Sequence, residues 1–389
     1  MAVLPFKNLS EDPGQEYFSD GITEDIISAL SRFSNLHVAA KSASFQFKGR
    51  NLALAEVGRL LGVGYLLDGS IRRAGKRIRV NTELIESATG RQVWSEVYDA
   101  ELNDIFAVQD DIARRVVGAA AIKLTRFEQE RARDQPTDSL AAYEYVLRGR
   151  ERFSNATREM NDEARELFQR AIELDPKYAA AYAALAGADV DAATSGWAEF
   201  PDEEVERASA LAQKALTLDP ALTSAYRVLA GIDLFGKRYD LALRQLDRAL
   251  EINPNDVETY AERGSTLVFA GRPTEALVWL KGALQFDQGH PRTSARLGLA
   301  YYFLGRYDEA VEACDRALAR NSGRNTQILT HAVLAAVYAE MGRDQDAESE
   351  RAVVTHLSPF FHGLAFAGQF ATQAAREHML EGLTKAAFR

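Results

Sequence analysis

Ala215-Leu216-Thr217-Leu218-Asp219-Pro220 and Ala249-Leu250-Glu251-Ile252-Asn253-Pro254 are one phrase written twice, with prolines 34 residues apart. An earlier copy, Ala171-Ile172-Glu173-Leu174-Asp175-Pro176, precedes them. A fixed period of this length marks a repeat array in which each unit is one supersecondary element. Counted from Thr223, the unit sets Tyr226, Leu229, Ala230, Gly236, Tyr239, Ala242, Leu246, Ala249 and Pro254 along two helices. Small residues are needed where two helices cross most closely, so Ala230, Ala242 and Ala249 mark the crossing and larger residues fill in beside it. Proline cannot continue a helix and ends the second one. Each pair leaves an apolar face that only the next pair can cover, so the pairs must stack.

These positions resemble the tetratricopeptide repeat. The resemblance implies an all-α superhelix of helix pairs whose concave face holds another protein. The unit from Val257 keeps Tyr260, Gly264, Ala276, Leu280 and Ala283 but has Gln288 in the proline position. The unit from Pro291 keeps Leu297, Gly298, Tyr301, Gly305, Tyr307, Ala310 and Ala317, and a further one runs from about Ile328 to Pro359. Pro176 and Pro220 are 44 apart, ten more than the period, and the extra residues are expected between the two helices of that unit, around Thr194 to Pro201. The first pair, from near Ala142 to Pro176, is expected to have a loop about three residues longer than usual. The reading gives about six helix pairs over residues 128–359. A capping helix over 360–389 follows, with Met379, Leu380 and Leu383 apolar among charged neighbours.

Residues 1–127 are patterned differently. Val3-Leu4-Pro5-Phe6 reads as a buried strand and Ser10-Glu11-Asp12-Pro13-Gly14 as a turn. A helix opens at Asp20, read as its N-cap, with Ile22, Ile26, Ile27 and Leu30 on one face. Then come a short strand at Leu36 to Ala40, a helix near Leu52 to Leu61, and strands at Tyr65 to Arg72, Arg77 to Ser87 and Gln92 to Glu101. A long helix runs from a cap at Asn103 through Ile122. This order predicts an α/β amino-terminal domain, a small mixed sheet with helices packed on it. Its wording, Ala2-Val3-Leu4-Pro5-Phe6, Tyr17-Phe18-Ser19-Asp20-Gly21-Ile22-Thr23-Glu24, Asp68-Gly69-Ser70-Ile71-Arg72 and Trp94-Ser95-Glu96 with Tyr98-Asp99, is similar to the TolB-like amino-terminal domain. The resemblance covers essentially the whole chain. It implies a bacterial regulatory or signal-transduction module, a domain common before tetratricopeptide repeats in class III adenylate or guanylate cyclases and winged-helix transcriptional regulators. The first strand starts within a residue or two of Met1, so the expectation is either a freestanding protein or one whose effector domain stood upstream.

Composition narrows the function classes. The chain has 389 residues, 47% hydrophobic and 26% charged, which suits globular domains and more than one of them. A formal net charge of -10 speaks against nucleic acid, whose phosphates need clustered lysine and arginine. No stretch reaches the ~18 apolar residues of a spanning helix, so no membrane insertion is expected. The cytoplasm is the expected compartment, with the periplasm as the alternative if an upstream membrane anchor exists. The single cysteine, Cys314, excludes an internal disulfide and falls at a core-facing repeat position. There is no GxxxxGK[ST], HExxH or GxSxG, and none of the six histidines stands four residues from another. Gly62-Val63-Gly64 follows a helix and reads as its stop. Phe18 to Thr23 superficially resembles the metal-aspartate stretch of class III cyclases, but Asp20 follows a Pro-Gly turn and the required spacing fails. No catalytic site, metal or cofactor is expected. Arg72-Arg73-Ala74-Gly75-Lys76-Arg77 reads as a solvated basic hairpin tip.

What remains is a surface. Phe235, Phe269 and Phe303 are each 34 apart, near the ends of successive first helices, where repeats of this kind present side chains to the concave groove. Arg227, Glu262, Arg296 and Tyr302 hold neighbouring groove positions. An aromatic ladder edged with mixed charge suits a peptide, although the phenylalanines could equally pack between adjacent helices. Trp197 and Phe200, in the expanded unit, are a candidate loop contact. The expected function is a non-catalytic interaction or regulatory scaffold that binds a partner peptide or domain in this groove. The alternative is the regulatory half of a nucleotide cyclase or transcriptional regulator whose effector domain is absent from this chain.

Overall fold

The computed structural model describes residues 1–33, 36–50, 52–120, 137–153, 157–320 and 322–388. They form two compact units, Met1–Val228 with Arg248–Asp256, and Leu229–Asp247 with Val257–Arg389. The expected division at 127/128 and the longer loop of the first helix pair, at 154–156, lie outside the described residues.

In the first unit, β1 (Ala2–Val3) and β2 (Lys7–Asn8) both pair in parallel with β3 (Tyr65–Ala74). β3, β4 (Arg77–Glu86) and β5 (Gln92–Glu101) form an antiparallel meander, giving a mixed sheet. The single strand expected over residues 3–6 is split at Pro5, which has no N–H to offer a ladder. Phe6 there buries its ring, and its N–H bonds Thr23 Oγ1 at 3.0 Å. Leu36 to Ala40 is not a strand. The Met1 amino group donates to His37 O at 2.6 Å and Ala39 N–H donates to Met1 O at 2.8 Å, but β1 is two residues long and offers no longer edge to pair with. A short helix, α2 (Lys41–Phe45), follows it.

The first long helix, α1 (Glu16–Ser31), begins four residues before Asp20, so that residue is not its cap. The helix is entered through a 3-10 turn, Pro13–Gln15, which Asp12 caps by accepting from Gly14 N–H at 2.8 Å. Asp20 points from the helix to Lys48, 2.6 Å away. Helix α3 (Leu54–Leu61) stops at Gly62, whose φ of +67° lets Val63 N–H reach back to Gly58 O. Helix α4 (Ile105–Ala119) lies beside α1, and Ile22, Ile26, Ile105 and Ile112 are fully buried with Val3, Phe6 and Val80 of the sheet side. That core continues without a break into α5 (Leu140–Phe153), α6 (Arg158–Leu174) and α7 (Ala179–Thr194).

The expanded unit pairs α7 with α8 (Pro201–Leu218). Compared with α9 (Thr223–Phe235) and α10 (Tyr239–Ile252), its first helix is three residues longer, its second four, and its turn three. The ten extra residues are therefore shared among helices and loop, not gathered in the loop, because a longer helix buries its own backbone groups and a longer loop does not. The second unit continues with α11 (Val257–Phe269), α12 (Pro273–Phe286), α13 (Pro291–Phe303), α14 (Tyr307–Leu318), α15 (Arg324–Glu340) and α16 (Asp344–Leu357). Glycine makes the tightest crossings possible: a Cβ at Gly264 would meet Leu280 Cγ at 2.5 Å, and one at Gly298 would meet Cys314 Sγ at 2.5 Å. The chain ends in α17 (Gly363–Ala367) and α18 (Gln373–Lys385), the latter lying against α13 and α15.

Candidate functional site

In the second unit a fixed period does what period implies: Phe269 and Phe303 close α11 and α13 at equivalent places. Between them sits a residue from the far end of the chain. Phe370 is fully buried, stacked on Phe269 with ring centroids 5.2 Å apart and set edge-on to Phe303 at 4.8 Å. Its main chain is held as well. Tyr239 Oη donates to Gln369 O at 2.6 Å, and Ala371 N–H donates to Phe269 O at 2.8 Å. Tyr302 is buried; its hydroxyl donates to His378 O at 2.9 Å and its ring lies 4.6 Å from the His378 ring. Burial pushes that hydroxyl's pKa up. Helix α18 can approach so closely only because residue 382 is glycine, where a Cβ would stand 2.2 Å from Tyr302 Oη.

Arg296 lies with its guanidinium carbon 4.8 Å above the Phe269 ring. Its Nε is sealed from solvent and makes no hydrogen bond among the described residues. Burial, with Arg292 adding repulsion, pushes its pKa down to about 10. So Phe269, Arg296, Tyr302 and Phe303 come together, and with them Phe370 and His378, which the sequence reading assigned to a cap. The signal was there in the aromatic spacing of Phe361, Phe366 and Phe370. Glu262 stands two turns before Phe269 on α11, while Phe235 is 43% exposed and outside this hydrophobic cluster. Arg227 belongs to the first unit and pairs with Asp256 at 2.7 Å. Trp197 and Phe200 are also in the first unit, Trp197 partly buried with its main-chain N–H donating to Ala192 O and Phe200 57% exposed.

The first unit has its own polar cluster, where α1 meets α5. The Asp25 carboxylate accepts from the Tyr143 hydroxyl, from Arg150 at 3.3 Å and from Gln109 at 3.4 Å. Burial raises its pKa, against the pull of Arg150 and Tyr143. Gly21 admits Leu147 within a distance no Cβ would allow. Arg73, expected in a solvated tip, instead pairs with Glu144 on α5 at 2.5 Å and lies over the Phe18 ring, while Arg72, Ala74, Gly75, Lys76 and Arg77 are exposed as expected. A cleft of about 230 Å³ beside these groups is lined by Tyr17, Asp20, Glu24, Lys41 and Arg150. Its charges are answered internally, Glu24 by Lys41, Asp20 by Lys48 and Arg150 by Asp25. Among the described residues no three His, Cys, Asp or Glu side chains are placed to hold a metal, and no helix is long and apolar enough to cross a membrane. Cys314 is buried and burial pushes its thiol pKa up, the state of a packing residue rather than a nucleophile.

Residues 1–115 match the family described as HilA/YgeH-like transcriptional regulator, second domain. Residues 291–323, which contain α13 and α14, match the tetratricopeptide repeat. A protein of Rhizobium meliloti (strain 1021) named "Putative adenylate cyclase 3" is 46% identical over 185 residues, 48% of this chain and 32% of that protein. The chain thus spans about a third of the length of the curated relative it matches. Among solved structures, pilF of Pseudomonas aeruginosa is 20% identical with a TM-score of 0.42, covering 57% of this chain and 93% of its own. A thermophilic TPR protein of Thermus thermophilus is 22% identical with a TM-score of 0.42, covering 50% and 99%. The chain carries tetratricopeptide repeats behind a small mixed α/β sheet whose sequence is similar to the second domain of HilA/YgeH-like regulators.

Proposed function

We propose that this chain is a non-catalytic interaction and regulatory module, and that the groove of its second unit takes a segment of a partner protein. One observation carries the reading: the groove already closes on polypeptide. Phe370 fills an aromatic seat between Phe269 and Phe303 while Tyr239 and the Phe269 carbonyl hold the flanking main chain. Side-chain seat plus main-chain grip is what peptide recognition requires. The TolB-like wording of residues 1–127 fits a regulatory front domain. Phe269→Ala is a poor probe of binding, since Phe269 is 4% exposed and its loss would cost about 3–5 kcal/mol of folding free energy. A photo-crosslinking phenylalanine analogue at Phe303, which is partly buried at the groove, tests the reading directly. Crosslinks in cells to a segment of another protein, reduced by Arg296→Ala, are expected. Crosslinks confined to the chain's own residues 366–378 would count against it.

A second reading has its own support. The 46% identical stretch in a cyclase-named relative and the match of residues 1–115 to a regulator domain favour the regulatory half of a nucleotide cyclase or transcriptional regulator. The genomic sequence upstream of Met1 decides it: an in-frame cyclase or winged-helix domain is the expected finding, and a stop codon ahead of any such domain removes the reading.

A further inference from the structure

Partly buried arginines on the repeats are answered by carboxylates: Arg165 by Asp189, Arg227 by Asp256, Arg263 by Asp247 and Arg320 by Asp287. Arg296 is not. Its guanidinium lies on the face of Phe269, its Nε is sealed without an acceptor among the described residues, and the charged group that bears on it is another cation, Arg292. Arg292 and Arg296 are four residues apart on α13, and Phe303 follows seven later, so the three share one stripe of the helix. That stripe is cationic at one end and aromatic at the other. The resident segment serves only the aromatic end. Phe370 occupies the seat, but from Pro359 to Arg376 the chain has no aspartate or glutamate to offer the guanidinium. A half-buried guanidinium whose Nε is sealed without an acceptor has the face of Phe269 as its compensation for lost water, which leaves it suited to an anion.

We propose that this groove selects a partner segment that sets a carboxylate on Arg296 beside an aromatic side chain in the seat of Phe370, which the chain's own residues 361–376 hold in its absence. This rests on the groove reading above and names the chemistry of its ligand. An aromatic ring from the partner replaces Phe370 at little net change, and the new charge-assisted hydrogen bond tips the exchange.

Two labelled peptides test it on the full chain: an acetylated, amidated peptide with a central phenylalanine flanked on each side by glutamates, and its counterpart with glutamines. Fluorescence anisotropy on Phe370→Ala, which vacates the seat, should show the glutamate peptide binding about tenfold or more tightly than the glutamine one. Arg296→Gln in that background should erase the difference, and the unsubstituted chain should bind both more weakly than Phe370→Ala. If Phe370→Ala does not fold, Tyr239→Phe, which frees Gln369 while leaving Phe370 packed, should give the same order at smaller amplitude. Equal affinity for the two peptides overturns the carboxylate inference and leaves the groove reading standing. Binding of neither peptide overturns the inference, and the crosslinking at residue 303 then decides the groove reading by itself.

Discussion

Asn255 stands in a turn that the repeat spacing marks only as the place where one helix pair gives way to the next. Its side-chain amide nevertheless donates to the carbonyls of Phe33 at 2.9 Å and Leu36 at 3.4 Å, while Asn253 donates to Ser31 Oγ at 3.0 Å. All three hydrogen bonds are buried and lie within the first unit. Truncating the amide removes its buried hydrogen bonds to the Phe33 carbonyl, which keeps the Leu36 N–H as a donor, and to the Leu36 carbonyl, a loss of about 0.5–1.5 kcal/mol for each bond. Asn255→Ala should therefore lower the calorimetric unfolding midpoint by several degrees, at roughly 2–4 °C per kcal/mol for a body of this size. Val278→Ser, at a 71% exposed position, is the control and should leave it unchanged. A midpoint that does not move with Asn255→Ala would show that the two carbonyls are satisfied another way. Contacts of this type were illegible in the sequence because nothing local distinguishes an asparagine that caps a turn from one that reaches 222 residues back. Asp25 escaped for the same reason: in the sequence it is one more acid near a helix start, and only the fold brings Tyr143, Arg150 and Gln109 to it.

Helices were legible where a period or a stop residue governs them. The 34-residue spacing located α9 through α14, since each small residue at a crossing answers to one unit's geometry, even where Gln288 stands in the place of the closing proline. The strands β3, β4 and β5 were legible as alternating runs between glycine turns, but Leu36 to Ala40 was misread because alternation says nothing about whether an edge is free to pair. Helix α18 shows a third case. Its apolar residues gave its existence, while its seat depends on a glycine whose lack of a side chain carries no pattern. A Cβ at Gly382 would fall 2.2 Å from Tyr302 Oη and 3.2 Å from Ala336 Cβ, and the Tyr302 ring is held in place by its bond to His378 O. Gly382→Leu should lift α18 from α13 and α15 without unfolding the repeat pairs beneath. Hydrogen exchange should then rise across residues 363–385 and stay slow in the interiors of α14 and α16. Uniform acceleration through all four helices would mean that α18 is part of the cooperative core and not a displaceable cover.

At the scale of the whole chain, the boundary drawn from sequence follows a change of pattern, from strands and short helices to a helical period. One hydrophobic core runs from Val3, Ile22 and Ile112 through Val146, Phe168 and Leu185, so sheet, α1, α4 and the first repeat helices bury one another. Phe106 sets its edge against the Tyr143 ring at 4.8 Å, and Leu147 enters the gap that Gly21 leaves. Burial of that kind contributes about 25 cal/mol for each Å² of apolar surface withdrawn from water. A fragment of residues 1–127 would expose the faces of α1 and α4 that α5 covers and leave Asp25 without Tyr143 and Arg150. We therefore expect it to unfold at lower urea than the same residues do within 1–228, where α5 to α8 are restored, and both to fall short of the full chain, which adds the Asn253 and Asn255 contacts. The denaturant slope gives the sharper reading. It grows with the surface exposed in one cooperative step, so residues 1–228 should melt in a single transition steeper than that of 1–127. Two transitions in 1–228, the first matching the isolated 1–127 fragment, would show that the front domain folds on its own and merely rests against the repeats.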